Sequence, residues 1–136
     1  MLPLIIWNET IAIGILSMDS QHQRWIGLMN ELYDAMRTGK AKAVVGRTLT
    51  NMLDYTQTHF TAEEKLIATH GYPEYKEHKQ IHDGFIERIE GLSRRQQSHD
   101  DALTSEVMNF LKEWLINHIQ SVDRQYVPLL KSKGVR

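Results

Sequence analysis

The chain has 136 residues, enough for one domain with a sizeable hydrophobic core. Its 16 Lys and Arg against 17 Asp and Glu leave a formal charge of −1, which argues against a nucleic-acid footprint and a polybasic membrane patch. Cysteine is absent, so disulfides, iron–sulfur clusters and thiolate zinc sites are excluded, and any metal must be held by nitrogen and oxygen.

The opening run MLPLIIW lacks the basic flank and apolar length of a leader peptide. No stretch approaches the roughly 20 apolar residues that span a bilayer. The protein therefore reads as soluble and cytoplasmic, a single domain over 1–136 with an N-terminal arm at 1–18 and a helical body at about 19–131. The first helix is expected from about Asp19 to Thr38, its inward stripe being His22, Trp25, Met29, Leu32 and Met36, with Gly39 as its stop. The second is expected from about Ala41 to His70, with the stripe Val45, Leu49, Met52, Thr56, His59, Glu63 and Leu66. The third opens at Pro73 and carries Tyr75, His78, His82, Phe85, Ile89 and Leu92. A polar stretch from Ser93 to Asp101 leads to the fourth, which carries Leu103, Val107, Phe110, Trp114, His118, Val122 and Tyr126, with Pro128 ending or bending it. Short connections favour an all-α, antiparallel up-down-up-down four-helix bundle. Gly27, Gly46 and Gly84 read as tolerated surface positions.

Polar residues fall on these apolar stripes. His22, His59, Glu63, His78, His82 and His118 all occupy positions where the periodicity demands core. One such histidine is ordinarily a satisfied buried hydrogen bond, but six polar groups on inward faces of four helices need a common partner, because unpaired burial is costly. Metal ligation is the economical answer. His59 and Glu63 are four apart, as are His78 and His82, so each pair points to one place. His118 and Asp123 are five apart, about 140° on an ideal helix. They converge only if the fourth helix bends or carries a π-bulge.

Five imidazoles and two carboxylates are too many for one metal. They suit two, with the carboxylates bridging, and a histidine-rich mixed set of this kind suits non-haem iron. The other dimetal class borne on bundles uses Glu-x-x-His. No glutamate stands three residues before any histidine here, and the zinc-protease pattern HExxH is absent.

The segments GILSMDSQHQ, HFTAEEKLI, YPEYKEHKQIHDGF and WLINHIQSVDRQY resemble the four motifs of the hemerythrin family, specifically its bacterial members, in the family's order over residues 14–126. That resemblance implies one iron on His78, His82 and His118, a second on His22 and His59, and bridges from Glu63, Asp123 and an oxo or hydroxo group. It further implies that dioxygen binds reversibly, as hydroperoxide, at the two-histidine iron. An apolar pocket would keep it from solvent, and the candidates are Trp25, Ile26, Phe60, Trp114, Leu115 and Ile119. Ordinary bundle packing is the competing reading for each. Trp25 is large for a position often held by a smaller aliphatic residue.

His70, at a helix end, and His99, in a polar loop, match no ligand position and read as solvent-exposed. Glu64 reads as a solvated neighbour of Glu63. Three functions compete: an oxygen-binding module for sensing, storage or delivery, a diiron redox enzyme of peroxidase or nitric oxide reductase type, and a structural bundle with adventitious zinc. The first is preferred, which makes the protein not an enzyme. Family members also occur fused to chemotaxis and other signalling proteins, so the apolar lead is either the stub of such a linker or an arm packed across the bundle. The arm is the reading adopted.

Overall fold

The computed structural model describes residues 3–39, 42–97 and 103–136. Its helices are α1 (Leu16–Arg37), α2 (Lys42–Thr69), α3 (Tyr75–Gln97) and α4 (Leu103–Asn117). A π-helical turn (His118–Val122) and a 3-10 turn (Asp123–Tyr126) continue α4 into a last short helix, α5 (Val127–Ser132). Each long helix packs on the next, and α1 also packs on α4, which closes the ring of an up-down-up-down bundle. Among the described residues there is no strand, and no helix is long and apolar enough to cross a membrane. His99 lies outside the described residues.

On α1 to α3 the stripes read from the sequence supply the faces that meet, whereas on α4 Leu111 and Leu115 are buried and the expected Phe110 and Trp114 are half-buried. Trp25, Met29 and Leu32 of α1, Leu49 and Met52 of α2, Phe85 and Ile89 of α3, and Leu111 and Leu115 of α4 are buried together. At Gly27, Gly46 and Gly84 an added Cβ would meet nothing within 4 Å, so these glycines do not mark close helix approaches.

The helix ends have local causes, and that of α2 falls where expected. α1 starts three residues early, at Leu16, with the Asp19 carboxylate in its first turn. That carboxylate reaches back to accept the N–H groups of Ile13 (2.8 Å) and Gly14 (3.0 Å). α2 ends where Gly71, at φ 74°, takes the left-handed conformation. There Tyr72 N–H bonds the Ile67 carbonyl (2.9 Å) and Gly71 N–H bonds that of Ala68 (3.1 Å), a Schellman closure. Pro128 does not end the fourth segment. It sits in the first turn of α5, where a missing N–H costs nothing.

The N-terminal segment lies along the bundle. Ile5, Ile11, Ile13 and Ile15 are buried. Asn30 of α1 holds the Ile5 backbone from both sides, accepting from its N–H (3.0 Å) and donating to its carbonyl (2.9 Å). Arg124 donates to the carbonyls of Thr10 (2.6 Å) and Ala12 (3.0 Å).

Candidate metal centre

The six polar residues singled out on the four stripes, and Asp123 with them, meet at one place. His22 from α1, His59 and Glu63 from α2, His78 and His82 from α3, and His118 and Asp123 from the fourth segment are each at most 3% exposed. Their candidate donor atoms fall into two groups that share Glu63: one with His78, His82, His118 and Asp123, the other with His22 and His59.

The carboxylates divide their oxygens between two sides. Glu63 Oε1 lies 2.8 Å from His78 Nε2 and 3.0 Å from His82 Nε2, while Oε2 lies 3.8 Å from both His22 Nε2 and His59 Nε2. Asp123 Oδ1 lies 2.9 Å from His118 Nε2 and 3.2 Å from His78 Nε2, while Oδ2 lies 3.2 Å from His22 Nε2. Each carboxylate thus turns one oxygen to a three-histidine side and the other to a two-histidine side.

The fourth segment reaches this geometry through its π turn. The Asp123 N–H bonds the carbonyl of His118, five residues back. The wider turn absorbs the extra residue and returns Asp123 to the face that carries His118, as the five-residue step requires.

Burial and charge set the protonation of the cluster. Burial pushes His59 down to about 4, with Glu63 pulling only partly the other way. Burial also acts to lower His78, but the close carboxylates of Asp123 and Glu63 outweigh it and raise that ring to about 9. Both carboxylates are held well below their ordinary range despite burial, Glu63 by His78 and His82, Asp123 by the charge and close approach of His118. They are therefore anionic at neutral pH. Yet neither oxygen of Asp123 makes a well-formed hydrogen bond, nor do the Nε2 atoms of His22 and His59. Two anions and five imidazole nitrogens, desolvated and converging, are a donor set suited to cations, which would satisfy the atoms left without partners.

Three neighbours of the cluster were not read as such from the sequence. Gln21 Oε1 accepts from His59 Nδ1–H (2.5 Å). Glu64 Oε2 accepts from His82 Nδ1–H (2.8 Å), so Glu64 is not the solvated neighbour expected but an anchor of that ring. Tyr126 donates its phenol to Glu63 Oε2 (2.8 Å), and burial, with the charges of Glu63 and Asp123, pushes that phenol far above its usual range. Tyr126 was legible as an inward position, whereas nothing in the periodicity marked Gln21 or Glu64. His70 is half-buried rather than exposed, its Nδ1–H closing on the Leu66 carbonyl (2.8 Å).

Three of the candidate pocket residues pack against histidines of this cluster. Phe60 stacks flat on His82 at 3.7 Å, Trp114 stacks on His118 at 4.3 Å, and Trp25 lies 5.4 Å from the His59 ring. Ile26, Leu115 and Ile119 are buried in the core, and Trp114 is half-buried.

Comparison with known proteins agrees with this arrangement. A family model described as the hemerythrin HHE cation binding domain matches residues 14–130. The bacteriohemerythrin of Stenotrophomonas maltophilia is 36% identical over 129 residues, covering 95% of this chain and 83% of that protein. The bacteriohemerythrin of Pseudomonas aeruginosa is 35% identical over 127 residues, 93% of this chain and 82% of its own. A crystal structure of wild-type hemerythrin superposes with a TM-score of 0.86 at 28% identity, covering 93% of this chain and 98% of that one. With the match spanning nearly the whole bundle, the chain belongs to the hemerythrin HHE cation-binding family.

Proposed function

We propose that this protein is a diiron carrier that binds dioxygen reversibly, serving oxygen sensing, storage or delivery. The observation that supports the reading best is the division of carboxylate oxygens. His78, His82 and His118 would hold one iron and His22 and His59 the other, with Glu63 and Asp123 bridging. When bound, such a pair of irons supplies reversible electron transfer to dioxygen at the two-histidine side, which has fewer protein donors.

The chain's own residues account for the rest. Glu63 and Asp123 bring two negative charges that offset much of the charge of two cations in a dry interior. Gln21 and Glu64 hold the Nδ1 protons of His59 and His82, so those rings present Nε2 to the centre. Tyr126 fixes one oxygen of Glu63. Phe60 and Trp114 clamp the rings of His82 and His118 by stacking. Trp25, Ile26, Phe60, Trp114, Leu115 and Ile119 would keep water from the bound gas, since a site that excludes water also excludes the proton that would discharge it.

The test is an optical titration of iron-loaded protein from anaerobic to aerated buffer and back, with metal analysis of the same sample. Two irons per chain and a spectrum that reverses on removing oxygen are expected. One iron per chain, a preference for zinc when iron is replete, or a change that does not reverse contradicts the reading.

A further inference from the structure

Trp25 lies on α1 one turn beyond His22 and is wholly buried. Its indole Nε1–H is a donor only, and among the described residues it makes no hydrogen bond. Buried donors nearly always find an acceptor, so this one calls for an explanation. Its surroundings are rings. It meets Phe60 at 5.5 Å, Phe85 at 5.9 Å and Trp114 at 6.1 Å, all edge-on, and His59 at 5.4 Å with the planes tilted. Three of these neighbours offer only aromatic faces, which accept weakly. The fourth, His59, belongs to the two-histidine side of the centre, and its Nε2 is itself without a hydrogen bond. The unpartnered donor and the side with fewer protein donors are therefore neighbours.

We infer that the Trp25 indole N–H donates a hydrogen bond to a small anionic ligand bound at the two-histidine side of the centre. The pocket is then not uniformly apolar: it holds one protein donor. Left with only aromatic faces the donor is poorly satisfied, and it gains most when an anion arrives, because a charged acceptor in a low-dielectric site makes roughly twice as strong a bond as a neutral one. The indole also discriminates, favouring ligands whose outer atom carries negative charge over neutral ones of equal size. This inference rests on the proposed function, since it needs metal on the two-histidine side.

The experiment uses iron-loaded, oxidised full-length protein and sodium azide as the anion probe. Affinity is measured by optical titration in the wild type, in Trp25→Phe, and in protein whose Trp25 indole is replaced by a benzothiophene of the same shape without the N–H. Iron content and helicity are recorded for each. The benzothiophene protein is expected to lose about tenfold in azide affinity, about 1.4 kcal/mol, with two irons retained. Ultraviolet resonance Raman of the wild type, which reads indole N–H hydrogen bonding and needs no variant to fold, should show a strengthened bond on adding azide. Unchanged affinity in the benzothiophene protein, or an N–H band that azide does not move, overturns the inference. Loss in Trp25→Phe alone does so too, because it shows a role of ring volume only. Wild-type protein that holds two irons and takes up no azide overturns the open position assigned in the proposed function, and the inference with it.

Discussion

An imidazole can place only one nitrogen on a metal, and what happens at the other decides how firmly the ring is aimed. His59 and His82 solve this with partners outside the cluster, Gln21 and Glu64, at 2.5 Å and 2.8 Å. Both acceptors are carbonyl or carboxylate oxygens, which fixes the proton on Nδ1 and frees Nε2. Gln21→Leu and Glu64→Leu should each weaken iron binding by about 10- to 100-fold with helicity unchanged. Competition against a chelator of known affinity measures this. Equal affinity in the Glu64 variant would mean that stacking on Phe60, at 3.7 Å, aims the His82 ring by itself.

At the scale of the element, the fourth segment carries the argument. An α-helix would set Asp123 about 140° from His118, and the π turn removes that offset by adding one residue to the ring closed by the Asp123 N–H and the His118 carbonyl. Deleting the exposed Ser121 shortens the step to four, which an ordinary α-helical turn already brings to one face. The deletion should therefore keep two irons per chain while the π turn disappears. Inserting an alanine after Ser121 should turn Asp123 by a further 100° or so, remove one bridge and drop the iron content below two. Metal analysis of the two variants checks both. A deletion that loses iron as fully as the insertion would show that the bulge does more than correct phase.

For the whole molecule, the cluster makes the stability of the metal-free fold pH-dependent. His59 titrates near 4 when folded against 6.5 ordinarily, so the unfolded chain takes that proton first and stability falls as pH drops from 6.5 towards 4. His78 titrates near 9 against the same 6.5, so its contribution is full below 6.5 and fades as pH rises towards 9. Glu63 and Asp123, both depressed, add stability that is lost only on stronger acidification. Iron-free protein should be most stable near pH 6.5 and lose about 3 kcal/mol on each flank. Urea midpoints across pH 4 to 9 test the shape, and a monotonic curve refutes it. Loading iron should raise the thermal midpoint well above the iron-free value, because binding free energy adds to folding. Equal midpoints would contradict the view that metal satisfies the buried atoms of His22, His59 and Asp123 left without partners among the described residues.

The sequence by itself determined four helices, the inward stripes of the first three, the six polar residues that break the stripes, and the need for an irregular turn if Asp123 is to join His118. Periodicity carries that information because each helix fixes its own face without reference to its neighbours. Only the tertiary structure decided which oxygen of Glu63 and Asp123 faces which histidines, the division into three and two having been implied beforehand by the resemblance of the motifs. It also revealed Gln21, Glu64 and the Tyr126 phenol as partners, and it left the Trp25 donor without one. Glu64 shows why. On α2 it sits about 100° around from Glu63, where a single helix predicts solvent, and its acceptor role exists only because α3 brings His82 alongside. Contacts between helices depend on the packing of the bundle, and a pattern read along one helix cannot contain them.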